Sequence, residues 1–244
     1  MAHIDILIRR LRSDTHIDAE DAAAIARLPV HVRDVPAQTS IVRTGERPNA
    51  CCLLVKGFAC RAKITDMGKR QILSFHVAGD IPDLQSLFLR SMDHDLVSIS
   101  PATLAFIAHS DVLKLVDERP SVAHALWRET LIDAAIFREW IVNLGARDAP
   151  ARMGHLFAEL YHRMAAVGLV QGNEFEFSVT QAELAEALGI SAVHANRIIQ
   201  RFRSEGVLDV RRNHVALLDF PTVQAISGFD PAYLHQLTRR GAPE

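Results

Sequence analysis

The 244-residue chain reads as an α+β protein: an N-terminal β roll (jelly roll), one long helix and a C-terminal winged helix-turn-helix. Three observations give that order. From Val30 to about Ser110, short apolar runs alternate with turn residues, the spacing of an antiparallel barrel or jelly roll. From Ser121 to Asn143 the apolar residues recur at helical spacing, with no Gly or Pro between them. From Thr180 to Arg203, two short helical patterns flank Gly189.

Residues 3 to 28 read as one or two short helices stopped at Leu28-Pro29. The apolar runs of the β roll are Ser40-Val42, Cys52-Val55, Cys60-Ile64, Gln71-Phe75, Leu96-Ile99 and Thr103-Ala108. Turn residues at Gly45-Pro48, Gly57, Asp66-Gly68 and Gly79-Asp80 separate them, and Asp83 to Leu89 reads as one short helix. Pro120 suits the first turn of the long helix. That helix carries more apolar residues than one-sided packing needs, so Leu126, Ile132, Ala135, Ile136 and Trp140 are expected at a dimer seam. Burial of the helix by its own β roll is the competing reading. Gly145 and Pro150 are expected to break the helix into a hinge. The predicted segments are 1–119 (helices and β roll), 120–144 (dimerisation helix), 145–150 (hinge) and 151–244 (winged helix-turn-helix). In the last, Ala151 to Val167 reads as a helix and Glu174 to Ser178 as a strand.

The helix-turn-helix is the most informative stretch. Thr180 and Glu183 have capping-box spacing. Leu184, Ala185 and Leu188 form one apolar face, and small Ala185 lets a second helix cross closely. Gly189 can take the left-handed conformation that ends a helix, and Ser191 is a good N-cap for the next. Ala195, Ile198, Ile199 and Phe202 should bury. Ala192, Val193, His194, Asn196, Arg197, Gln200, Arg201 and Arg203 then lie outside that stripe, as on a helix set in a DNA major groove. Val207 to Leu218 reads as a hairpin turning at Arg211-Arg212-Asn213, a wing whose arginines can meet phosphate. A solvated helical hairpin with a charged face is the bland alternative.

Composition supports a local rather than a general nucleic-acid surface. Net charge is −2, yet Ser191 to Arg212 holds five Arg against Glu205 and Asp209. No apolar run approaches the roughly 20 residues of a membrane span. Met1 to Arg10 carries charges within its apolar run, unlike a signal peptide, so a cytoplasmic location is expected. Cys51, Cys52 and Cys60 form no disulfide framework and read as buried thiols, with no metal site implied. His76, His94 and His109 stand alone, without the His-x-His pairing of a metal-dependent jelly-roll enzyme. No nucleophile–base arrangement or P-loop stands out, so an enzyme is not expected.

The chain resembles the cyclic-AMP receptor protein / fumarate-nitrate regulator (CRP/FNR) family of bacterial transcription factors over nearly its whole length. Gly45-Glu46, Leu53-Leu54-Val55-Lys56-Gly57 and Gly79-Asp80 match the family's β-roll landmarks. Asn143-Leu144 through Arg152 looks like its hinge, and Thr180 to Leu208 like its helix-turn-helix. The resemblance implies a homodimer on an inverted-repeat operator, double-stranded DNA as partner, and contact with RNA polymerase. It places base readers at Ala192, Val193 and Arg197, of which only Arg197 is a strong one, with His194 and Asn196 beside it. Ser191 and Gln200 match positions near the DNA backbone.

The cyclic-nucleotide branch of the family needs an Arg followed by Ser or Thr in its phosphate cassette. Here Met92-Asp93 stands there, and Asp83 and Asp93 would repel phosphate. Phe137 and Arg138 replace the Thr-Ser pair that meets adenine. Cyclic AMP is therefore disfavoured and no cofactor is assigned. Gly79, Asp80, Asp83, Leu84, Phe137 and Arg138 mark the place of a candidate effector pocket. The N-terminal cysteine cluster of the iron–sulfur branch is absent. An effector-gated small-molecule sensor with a DNA-binding output is the alternative reading.

Overall fold

The computed structural model describes residues 3–237; Met1, Ala2 and residues 238–244, the ends of the first and last predicted segments, lie outside the described residues. Two short helices open the chain, α1 (Asp5–Asp14) and α2 (Ala19–Ala26). Asp18 caps α2 by accepting from the Asp21 N–H.

Seven strands follow: β1 (His31–Val35), β2 (Thr39–Val42), β3 (Ala50–Lys56), β4 (Ala59–Ile64), β5 (Arg70–His76), β6 (Asp95–Ser98) and β7 (Ala102–Ala108). They form two antiparallel sheets, β1-β7-β3 and β2-β6-β4-β5, which make the expected roll. The short helix read at Asp83 to Leu89 is a single 3-10 turn, Leu84–Leu87. Cys51, Cys52 and Cys60 are all buried. Burial pushes the Cys51 and Cys60 thiols up to about 12, so both stay neutral and unreactive.

Helix α3 (His109–Glu118) leads to the 27-residue α4 (Pro120–Ala146), and α5 (Ala149–Ala166) follows. Gly145 does not break α4. It lies in the last turn, where its missing side chain costs little. The break comes at Arg147, which turns extended, and Asp148, which caps α5 by accepting from Ala151 N–H. Pro150 opens α5 rather than ending α4. Only Arg147 and Asp148 separate the two helices, a shorter joint than the predicted 145–150.

The predicted dimer seam needs correction. Leu126, Ile132, Ala135, Ile136 and Trp140 are all buried within the single chain. Leu126 packs with Leu7, Leu11 and Leu115, while Ile132, Ile136 and Trp140 join Phe75 and Phe157. The Trp140 ring meets Phe75 edge-on at 5.9 Å. What α4 leaves exposed is a different stripe: Trp127 (65%), Leu131 (55%) and Ile141 (69%), with Val142 beside it. Spacing shows that two faces of this helix are apolar; only the placement of α1, the roll and α5 says which one is covered.

The C-terminal half contains β8 (Val170–Gln171), β9 (Glu174–Glu176), α6 (Gln181–Leu188), α7 (Ala192–Ser204), β10 (Leu208–Arg211), β11 (His214–Leu217) and α8 (Phe220–Ser227). Its sheet runs β10-β11-β9-β8, so the strand before the helices pairs with the wing. Strand β9 stops at Glu176, two residues short of the predicted end. Phe177 leaves it and enters an aromatic cluster, with ring centroids 5.3 Å from Phe157, 5.9 Å from Phe58 and 6.4 Å from Phe75. Phe58 and Phe75 belong to the β roll, so one apolar core runs through both halves. Beyond α8, a 3-10 turn (Pro231–Leu234) brings the chain back over α5. There the Tyr233 hydroxyl donates to Glu159 (3.0 Å), and Leu237 N–H donates to the Ser13 carbonyl of α1 (2.8 Å).

Gly57, in the β3–β4 turn, has φ +89°, and a Cβ there would strike the Pro101 carbonyl oxygen and lie 2.9 Å from Ser100 Oγ. Gly57→Ala should therefore lose more than the roughly 1 kcal/mol typical of strain at a positive φ, read as a lowered melting temperature.

Candidate nucleic-acid interface

The two helices of the motif are fixed by short-range hydrogen bonds. Glu183 N–H donates to Thr180 Oγ1 (3.2 Å) and Thr180 N–H donates to Glu183 Oε2 (2.8 Å), completing the capping box. Gly189 ends α6 in the left-handed region at φ 65°. Ser191 Oγ accepts from His194 N–H at 3.2 Å and starts α7. Ala195, Ile198, Ile199 and Phe202 are buried, the stripe expected from their spacing.

Every residue read as DNA-facing is exposed: Thr180, Ser191, Ala192, Val193, His194, Asn196, Arg197, Gln200, Arg201, Arg211 and Arg212. Their charges are not equally available. Arg201 pairs with Glu205 at 2.8 Å, while Arg203 and Arg211 share Asp209. Among the described residues Arg197 and Arg212 have no ion-pair partner, so these two carry free positive charge on the open face. Sequence counting weights five arginines equally; the fold separates them.

Helix α6 is also tied to the roll. Gln38 Nε2 donates to Glu183 (2.6 Å), Arg70 pairs with Glu186 (2.7 Å), and Gln71 Nε2 donates to the Glu186 carbonyl (2.8 Å). From the joint, Arg152 donates to the carbonyls of Leu188 (2.8 Å) and Arg147 (2.9 Å). The orientation of α7 is thus set by the roll as well as by its own domain.

The expected effector pocket is a cavity of about 50 Å³ between α1, residues 79–85, α4 and α5, room for roughly three or four waters. Gly79, Asp80 and Leu84 line it. The other three predicted residues do not. Asp83 is buried away from it and accepts from Cys52 N–H (2.7 Å), with burial raising its carboxyl to about 7. Phe137 lies beneath the Arg61 guanidinium, 5.4 Å from ring centroid, and Arg138 is exposed on the outer side of α4.

The cavity walls are ionic. Arg10 pairs with Asp14 (2.9 Å) and Glu129 (3.1 Å) and lies 3.7 Å from Asp80. Arg163 pairs with Asp80 (2.6 Å) and Glu159 (3.1 Å). Arg61 pairs with Asp133 (2.6 Å) and donates twice to the Pro82 carbonyl. Each arginine facing the cavity already holds a carboxylate, which the phosphate of a cyclic nucleotide would have to displace. Burial lowers His76 to about 4, so it sits neutral beside Asp80. Despite its burial, Asp80 is held far below the usual carboxylate range by Arg163, His76 and Arg10. Sequence reading does not single out Arg10, Arg61, Glu129, Asp133 or Arg163. Only Arg10–Asp14 and Glu159–Arg163 have a local signal, the i,i+4 spacing of a helical ion pair.

Among the described residues no group of His, Cys, Asp and Glu is arranged to hold a metal ion, and no helix is long and apolar enough to cross a membrane. His76 and His109 are hydrogen-bonded to Ser74 and Ser86 (2.9 Å each), and His94 to Asp93 (2.7 Å).

Comparison with known proteins agrees with this architecture. Residues 32–119 match the model of the cyclic nucleotide-binding domain, and residues 151–226 match that of the Crp-like helix-turn-helix domain. The chain is similar to the transcriptional activator protein FnrL of Cereibacter sphaeroides, 22% identical over 93% of this chain and 92% of that protein. It is also similar to the electron transport regulator A of Shewanella oneidensis, 20% identical over 77% of this chain and 75% of that protein. Among solved structures, FixK2 of Bradyrhizobium japonicum shares the fold with a TM-score of 0.74 at 18% identity, covering 82% of this chain and 98% of that one. The c-di-GMP responsive regulator CLP of Xanthomonas campestris shares it with a TM-score of 0.63 at 18% identity, covering 83% of this chain and all of that one. A β roll, a long helix and a winged helix-turn-helix in this order define a DNA-binding transcriptional regulator. The chain belongs to the CRP/FNR family.

The ion network has a measurable weight. Asp80→Asn leaves Arg10 and Arg163 short of a buried partner and should cost about 3–5 kcal/mol in chemical denaturation. Because the folded-state Asp80 titrates below its unfolded value, its contribution is complete above the ordinary carboxylate pKa. In the wild type it should fade as pH drops below about 4, a loss that the variant does not show.

Proposed function

We propose that two copies of this chain bind an inverted-repeat DNA site, each setting α7 into a major groove. The observation that carries this is the division of α7 into a buried apolar stripe and an open face bearing an unpaired Arg197. Arg197 has the geometry to hold guanine O6 and N7, and Asn196 to read adenine. Val193, 70% exposed at the first turn, offers an apolar contact for a thymine methyl. Thr180, Ser191, His194 and Gln200 serve the sugar–phosphate backbone. Arg211 and Arg212 bring the wing to phosphate, and Arg201, held through Nε by Glu205, keeps its terminal nitrogens for the backbone.

The dimer forms along the exposed stripe of α4, with Trp127, Leu131 and Ile141 meeting their counterparts across a two-fold axis. Ala134 and Arg138 fall between them on the same face. The regulator acts in the cytoplasm and contacts RNA polymerase, as the family resemblance implies. Cyclic AMP is not its effector, on the strength of the small cavity and committed arginines. One observation favours a small polar ligand there instead: Arg10 Nε, Arg163 Nε and Glu129 Oε1 are buried without hydrogen-bond partners.

Selection from random duplex DNA by the purified protein tests the central reading; an inverted repeat with half-sites about 10 bp apart is expected. On the selected site at fixed salt, Arg197→Ala should weaken binding by about 1–3 kcal/mol and relax preference at one base pair. Unchanged affinity would remove Arg197 from the readout. Ile141→Glu should shift the elution profile from dimer to monomer with the melting transition retained, whereas Trp140→Glu should lose the fold. A dimeric Ile141→Glu protein would place the seam elsewhere.

A further inference from the structure

The wing and the recognition helix are joined through one buried carboxylate. Asp209, on β10, is 5% exposed. Its Oδ1 accepts from Arg203 Nε at 2.6 Å, and its Oδ2 accepts from Arg211 Nε. Arg203 comes from the last turn of α7 and also donates Nη2 to the Val210 carbonyl at 2.6 Å. Arg211 ends β10 at the wing turn, with its side chain 80% exposed. Neither arginine neutralises a surface acid in the ordinary way; both are gripped by the inner edge of the guanidinium. Arg211 keeps both terminal nitrogens free, and Arg203 keeps Nη1.

We infer that Asp209 is a positioning residue for DNA binding, holding Arg203 and Arg211 as a pre-formed pair that meets the phosphate backbone flanking the major groove. This rests on the placement of α7 and the wing on DNA argued above. The physical ground is preorganisation. A free arginine gives up rotamer freedom when it grips a phosphate, while one already held through Nε loses less. The bridge also couples two elements that would otherwise move separately, the end of α7 and the wing tip.

The expected effect is opposite in sign to simple charge counting. Removing a negative charge beside DNA should strengthen binding if Asp209 only opposes the phosphates. If it positions the two arginines, Asp209→Asn should weaken binding to the selected site roughly tenfold to a hundredfold. The slope of log affinity against log salt should also fall by about 0.9 for each phosphate that is no longer neutralised. Arg211→Ala should cost less in the Asp209→Asn background than alone, a coupling that mere loss of stability does not produce. Arg203→Lys keeps the charge and loses the planar fork, so it should reproduce the weakening even if Asp209→Asn proves unfolded by its melting curve.

Unchanged or tighter binding by a folded Asp209→Asn, a strictly additive cycle, or full affinity in Arg203→Lys would each overturn the proposal. Arg197→Ala separates this failure from failure of the broader reading. If Arg197→Ala loses the site while Arg211→Ala and Arg203→Lys do not, α7 still reads DNA and the Asp209 clamp is wrong. If none of the three changes binding, the interface itself is misplaced.

Discussion

A charged carboxylate inside a protein must be answered by its neighbours, and Asp80 imposes that constraint on three parts of this chain. It stands in the turn after β5, beside Arg163 from α5, His76 from β5 and, at 3.7 Å, Arg10 from α1. An isolated buried charge costs several kcal/mol, so the roll is well satisfied only when both α1 and α5 are in place. Arg163 and Glu159 then draw in Tyr233, whose segment continues to Ser13 of α1. The ionic centre therefore closes a circuit through the N-terminal helix, the roll, the first helix of the DNA-binding half and the last turn of the described chain.

Beside that centre one apolar cluster spans the roll, α4, α5 and the helix-turn-helix. Phe177 leaves β9 and contacts rings from both the roll and α5, while Gln38, Arg70 and Gln71 grip the ends of α6. The consequence for function is direct. The pose of α7 follows from α6, α6 is held by the roll, and the roll is held by its ion pairs. Arg163 and α5 connect the cavity beside Asp80 to the helices of the DNA-binding half. The route is a physical connection; a coupling energy between its two ends is the difference between two states of the molecule.

The long helix carries two apolar faces with different surroundings. Its inner face fills the space between α1, the roll and α5, and its outer face leaves Trp127, Leu131 and Ile141 in solvent. An exposed tryptophan and two aliphatic side chains along one stripe make an apolar surface that solvated helices seldom carry.

Much is legible in the sequence because it depends on neighbours in the chain. The capping box at Thr180-Glu183, the left-handed Gly189, the Ser191 cap and the four-residue buried stripe of α7 are all set within one or two turns. The strand spacing of the roll and the long α4 follow from the same local rules. The choice of buried face on α4 does not, since both of its faces are apolar and burial depends on what arrives from α1, β5 and α5. Nor does the cavity: Arg10 meets Glu129, and Asp80 meets Arg163, across long stretches of chain, and nothing local marks them as partners. Local chemistry along the chain is enough to set the helices, caps, turns and the exposed residue types of α7 and the wing. Long-range contacts settle which arginines remain unpaired, which side of α4 stays open and what lines the pocket, because each of those is a matter of which charges and apolar faces meet after the chain has folded back on itself.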